Sequence, residues 1–239
     1  MMPGQSDSQL RGWKAADVKR SRKNLGASWL AVMTAAALVT LWVSGCGATR
    51  SSTYYQLSVP PEAAPVERPD AVPATLLIGT FFTSHLYRED RIVFGNGPEE
   101  MGTYEYQRWS EPPTEMIEEV LLRELRASGH YRAVRVRRSN MPGDFAIRGR
   151  LYDFKEVEGN PISARLTMEL EMRDLKSGAT VWTHYYTHDE PASKKDVSAI
   201  VAALDQNVQR AVKEIVSSLD EYFAAHPAGR PATHAETHP

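Results

Sequence analysis

One thiol, a pair of histidines and a scatter of carboxylates are the groups in this 239-residue chain that could do chemistry. Cys46 is the only cysteine, so it can close no intramolecular disulfide and rules out a multi-cysteine metal site. His184 and His188 share a face of an alternating segment, but at ~3.3 Å per residue they stand ~13 Å apart. Ligand bonds near ~2.1 Å cannot bridge that gap to one ion. His226, His234 and His238 belong to a tail without apolar pattern, which reads as solvated. Carboxylates are plentiful (Asp153, Glu156, Glu158, Glu169, Glu171), yet none sits beside a histidine, serine or glycine-rich turn as a catalytic set. G-x-S-x-G, H-E-x-x-H and the phosphate loop are all missing. The chain therefore reads as non-enzymatic, with no metal and no cofactor.

What remains is the chemistry of contact. Tyr104-Glu105-Tyr106-Gln107-Arg108-Trp109-Ser110-Glu111-Pro112-Pro113 places aromatics and an arginine against a rigid proline turn, the residue types that anchor interfaces. Tyr106, Arg108, Trp109, Glu111, Pro112 and Pro113 are the candidate partner-binding residues. The competing reading is that Tyr104, Tyr106 or Trp109 fills core beneath the helix that follows. A second basic run, Arg132, Arg135, Arg137 and Arg138, could meet anionic headgroups. Because Arg135 and Arg137 alternate with Val134 and Val136, an exposed strand face is the favoured explanation.

The surroundings of Cys46 give the thiol a use. Lys19, Arg20, Arg22 and Lys23 precede an uncharged stretch from Leu25 to Val43, and small residues stand at Ser44 and Gly45. That order is a secretory signal. Val43-Ser44-Gly45-Cys46 looks like a bacterial lipobox, where the thiol is diacylated, the chain is cut before it and the new amine is acylated. Several acyl chains hold stably where one is marginal, at ~0.8 kcal/mol per buried CH₂. The alternative is an uncleaved anchor, since 19 residues at ~1.5 Å each span about a bilayer core. Either way the basic flank stays inside and the remainder is exported. Gly47 rather than aspartate after the cysteine favours the periplasmic face of the outer membrane, with the inner membrane as the other destination.

The elements that must carry these residues follow in order. The expected organisation is a signal peptide over 1–45, a lipidated tether over 46–53, one domain over 54–225 and a disordered tail over 226–239. Tyr54 to Val59 reads as a strand. Pro60, Pro61, Pro65, Pro69 and Pro73 read as a loop over 60–73 that cannot join a sheet ladder. Thr75 to Phe82 is a buried strand, and Arg91–Phe94 with Thr103–Trp109 forms a hairpin closed by Gly95-Asn96-Gly97-Pro98. A helix begins at Pro112-Pro113, carries Met116, Ile117, Val120, Leu121 and Leu125 on one stripe, and stops at Gly129. Strands recur at Ala133–Arg137, at Phe145 to Leu151 and at Leu166–Met172, the last with one apolar and one wet face. Ser177-Gly178 turns the chain into Val181–Thr187. Ser193 with Asp196 resembles a capping box. The long helix beyond it is striped by Val197, Val201, Leu204, Val208, Val212, Ile215, Leu219 and Tyr222. The expected fold is α+β, with both helices on one face of a largely antiparallel sheet.

Charge narrows the partners. The whole chain carries −2. Removing the six basic and two acidic residues of its first 45 from totals of 28 and 30 leaves 22 against 28, a net charge of −6. An acidic domain is a poor binder of nucleic acid.

The stretch Arg108-Trp109-Ser110-Glu111-Pro112-Pro113, then Met116-Ile117 and a helix closing in Ser128-Gly129, resembles the ABC-type transport auxiliary lipoprotein family, which includes PqiC-type lipoproteins. Tyr55-Gln56-Leu57, Leu86-x-Arg88 and Arg91-Ile92-Val93 support the likeness, which runs from about Tyr54 to Phe223. The longer turn at Gly95–Gly102 and Phe94 depart from the family pattern. The resemblance implies a non-catalytic auxiliary subunit of an envelope ABC system that moves lipids between membranes. Its partners would be a mammalian-cell-entry (MCE) domain protein and the permease and ATPase of the inner membrane, and homo-oligomerisation stays open. The rival expectation is a structural or regulatory envelope lipoprotein, serving lipopolysaccharide assembly or cell-wall synthase activation without a transporter.

Overall fold

A computed structural model describes residues 50–62, 71–97, 99–138 and 141–227. The expected signal peptide, Cys46, Pro65, Pro69, Pro98 and most of the tail lie outside the described residues.

The element order is β1 (Thr53–Tyr55), β2 (Val72–Ile78), β3 (Phe82–Thr83), a 3₁₀ turn (His85–Tyr87), β4 (Arg91–Phe94) and β5 (Gly102–Trp109). Then come α1 (Pro113–Ser128), β6 (Tyr131–Val136), β7 (Phe145–Val157), β8 (Ser163–Asp174), β9 (Thr180–Pro191) and α2 (Val197–Ala225). The class is α+β, as expected.

Strand β7 is the spine of the sheet. Its 13 residues span ~43 Å at ~3.3 Å each, long enough for several short strands to share one side. Along that side it pairs in parallel with β2, then β3, then β4. Along the other side β8 runs antiparallel over its whole length, and β9 follows antiparallel on β8. β5 forms the expected hairpin with β4, and β1 and β6 add parallel edges on β5 and β2. The long ladders are thus antiparallel, and the short strands join them through parallel pairings between segments distant in sequence.

One core lies between this sheet and both helices. Leu166, Met168, Leu170 and Met172 of β8 are each 0% exposed, the product of the period-two pattern. Full burial of such side chains stabilises by ~1.5–3 kcal/mol each. The same core takes in Met116, Ile117, Val120, Leu121 and Leu125 of α1 and Val201, Leu204, Val208, Val212, Ile215 and Leu219 of α2. α1 lies on β6, α2 lies on β8 and β9, and the helices touch each other. Gly129 closes α1 in the left-handed region at φ 63°, where glycine meets no Cβ penalty.

Four local expectations are corrected. The first strand is only Thr53–Tyr55, because Ser58 is instead held by α2, its N–H donating to Asp205 at 2.8 Å. Pro73 does join the sheet. It sits where the β2–β6 register shifts between Val72 and Thr75, a bulge that spares the ladder its missing N–H. The run Thr75–Phe82 breaks at Gly79-Thr80-Phe81 into β2 and β3. Asp196 itself caps α2, its carboxylate accepting from the Ala199 N–H at 2.8 Å, so Ser193 plays no part in the cap.

Candidate partner-binding site

The corner between β5 and α1 is built by three strands and a helix start. Arg108 lies opposite Arg91 on β4 and Tyr54 on β1. The Trp109 N–H donates to the Asp90 carbonyl at 2.7 Å, and the Ser110 N–H to the Tyr55 carbonyl at 2.7 Å. Pro112 then caps the helix and Pro113 opens it, with the Pro112 carbonyl accepting from Glu115 and Met116 at 3.0 and 3.2 Å. Two fixed φ angles and these bonds make the corner a rigid ledge.

The six candidate residues divide on this ledge. Trp109 is fully buried, its ring 5.3 Å from that of Phe154, and Pro113 is buried too. Both are corrected from contact residues to support, because a side chain enclosed by the core offers no surface to a partner. Glu111 is exposed, as is Ser110, while Pro112 and Tyr106 are half-buried. Arg108 is half-buried, and its guanidinium donates to Asp90 at 2.8 Å. It therefore presents an oriented, partly neutralised charge. Asp90 escaped the sequence reading, although its place directly before β4 in a hairpin was a usable signal.

Neighbouring groups are committed elsewhere. Arg91 lies opposite Arg108, but Val93 lies opposite Thr103, so β5 bulges between them and strand alternation does not carry through. Within the bulge, the Tyr104 hydroxyl donates to Glu156 at 2.7 Å and its ring meets Phe94 edge-on at 5.1 Å. Burial raises the Tyr104 pKa, and Glu156 raises it further, so the phenol stays a neutral donor. Beneath the ledge, Glu118 of α1 accepts from the Phe81 N–H at 2.5 Å. Burial pushes its carboxyl above the usual range against the pull of that bond.

His184 and His188 face separate carboxylates, Glu214 at 3.2 Å and Glu190 at 3.3 Å. Among the described residues no three histidine, cysteine or carboxylate groups converge as a metal site would require.

The chain matches the family model described as "ABC-type transport auxiliary lipoprotein component" over residues 55–216, more than half its length. The chain belongs to the ABC-type transport auxiliary lipoprotein family. The match begins at Tyr55, the last residue of β1, and ends on α2, so it takes in the six candidate residues and α1. The crystal structure of protein XCC0632 from Xanthomonas campestris is similar at 21% identity and a TM-score of 0.58, covering 71% of this chain and 99% of that one. The crystal structure of an uncharacterized protein gives 12% identity and a TM-score of 0.56 with the same coverages. These two show the fold. A Chlamydia trachomatis protein, CT253, is more distant, at 11% identity and a TM-score of 0.45 over 64% of this chain and 99% of its own. No curated protein matches the chain. Family membership makes this an envelope lipoprotein of ABC-type transport.

Proposed function

We propose that the mature chain is acylated on Cys46, stands on the periplasmic face of the outer membrane, and serves a lipid-moving ABC system without catalysing a reaction. Its work is tethering and recognition. The acyl chains hold the domain at the membrane, the short stretch from Cys46 to β1 is the tether, and the β5–α1 ledge docks an MCE-domain partner that connects to the permease and ATPase. The observation that carries this reading is the family match over residues 55–216, joined to the sole cysteine placed after Val43-Ser44-Gly45. On the ledge, Arg108, Glu111, Pro112 and Tyr106 are the contact residues, with Trp109 and Pro113 behind them.

The test is affinity purification of the full chain from solubilised membranes. Recovery of an MCE-domain protein with an ATPase and permease is expected. A Cys46→Ala chain should fold yet lose its acyl anchor and its function in cells. Recovery of the chain alone, or only with lipopolysaccharide-assembly or cell-wall factors, would replace the transporter reading with that of a regulatory envelope lipoprotein.

A further inference from the structure

The sheet face turned away from the helices carries arginines that the ledge does not use. Register sets Leu77, Arg135 and Ala146 side by side on β2, β6 and β7. Two residues on, Gly79 and Arg137, each just past the end of its strand and still hydrogen-bonded to the sheet, share that face with Arg148 of β7. A Cβ on Gly79 would lie 3.6 Å from Arg148 Cγ and 3.8 Å from Arg137 Cδ, so the two side chains flank the glycine. Arg150 continues the line on β7, and Arg138 follows Arg137 beyond the end of β6. Arg135, Arg137, Arg138 and Arg150 are exposed and Arg148 is half-buried.

These arginines are held in no close ion pair. Arg132, at the start of β6, is held by Asp144 at 2.7 Å. None of Arg135, Arg137, Arg138, Arg148 and Arg150 makes an ion pair with a described residue. Glu171 and Glu169 stand opposite Arg148 and Arg150 on β8 and bound the strip on that side, Glu169 already accepting from the Tyr152 hydroxyl at 2.8 Å. Aromatic side chains border the strip. Phe82, opposite Arg150, is 53% exposed, and Tyr152 and Tyr185 lie 6.4 Å apart with 42% and 59% exposure.

We propose that this arginine strip and Phe82 dock the domain against an anionic phospholipid surface. A domain of net negative charge gathers unpaired guanidinium groups here. Each fork fits phosphate oxygens in a way that an ammonium does not. An open strand face presents no enclosed slot for a small soluble anion, but it does match an extended layer of phosphates. Phe82, Tyr152 and Tyr185 supply the aromatic neighbours that settle at headgroup level. The docking needs no transporter partner, so it stands or falls separately from the function proposed above.

The full chain would be reconstituted into phosphatidylcholine vesicles with and without about 30 mol % phosphatidylglycerol, a leaflet charge that attracts basic segments. Hydroxyl-radical footprinting then reads side-chain accessibility. Phe82 labelling should fall about five-fold with phosphatidylglycerol and return in about 0.5 M salt, which shortens the screening length to a few ångströms. Tyr54, 61% exposed on the opposite sheet edge, should not change. Arg135→Glu with Arg137→Glu should abolish the protection, and the Arg135→Lys, Arg137→Lys pair should keep most of it. Equal Phe82 labelling in the two vesicle types would overturn the proposal. So would protection that ignores salt, or protection equally produced by poly-glutamate in zwitterionic vesicles, which would assign the face to an acidic polypeptide.

Discussion

The Tyr186 hydroxyl donates to the Asn207 side-chain carbonyl at 2.7 Å, joining β9 to α2 inside the core. Asn207 is 0% exposed, and its amide donates to the backbone carbonyls of Ala164 at 3.0 Å and His188 at 2.8 Å. One side chain thus fastens the long helix to two strands. Burial pushes the Tyr186 phenol up to about 12, so it remains protonated as a donor at ordinary pH.

Truncating this asparagine strands a buried hydroxyl and removes two donors to backbone. Asn207→Ala should lose about 3 kcal/mol of stability in urea unfolding. Tyr186→Phe removes only the donor and should lose about 1 kcal/mol. Equal losses would mean that the two amide bonds to the strands contribute little.

Glu118 carries a pH dependence of known sign. Burial raises its folded pKa above the unfolded value, so the native state binds the proton more tightly. Its contribution is present below the unfolded value near 4.5 and is lost as pH rises through the folded one. Glu118→Gln keeps an oxygen for the Phe81 N–H and removes the charge. The variant should gain Tm over the parent at pH 7 and show no gain at pH 4, as thermal melts at both values would reveal. A variant less stable at pH 7 would show that the carboxylate's stronger bond outweighs its burial.

The cap of α2 separates two residues that the sequence pairs. Asp196→Ala should lower Tm by a few degrees through the lost bond to Ala199, while Ser193→Ala should leave it unchanged. Equal shifts would restore the capping box.

The ledge separates stability from docking. Trp109→Ala opens a cavity in the core and should cost about 3–5 kcal/mol. Glu111→Ala should leave the melt unchanged and reduce copurification of the proposed MCE-domain partner. Arg108→Ala should do both weakly, since its ion pair with Asp90 is part-exposed and worth about 1 kcal/mol or less. Unchanged recovery of the partner from the Glu111 and Arg108 variants would remove the ledge from the docking model.

Local patterns carried most of the elements. The stripes of α1 and α2, the stop at Gly129, the β4–β5 and β8–β9 hairpins and the alternation of β8 all follow from spacing along one segment, and their order gives the α+β class. The address before Cys46 rests on sequence alone, outside the described residues. Tertiary structure decided what depends on residues far apart in the chain. β7 collects β2, β3 and β4 in parallel, and no local periodicity encodes which distant strand will be a neighbour. Asn207 interrupts an apolar stripe with no visible reason until β8 and β9 bring their carbonyls to it. Trp109 and Glu111 are two positions apart in one motif, yet one is sealed against Phe154 and the other faces solvent. That division is made by the end of β5 at Trp109 and the rigid Pro112-Pro113 corner, which decide the direction of each side chain only once the core has closed beneath them.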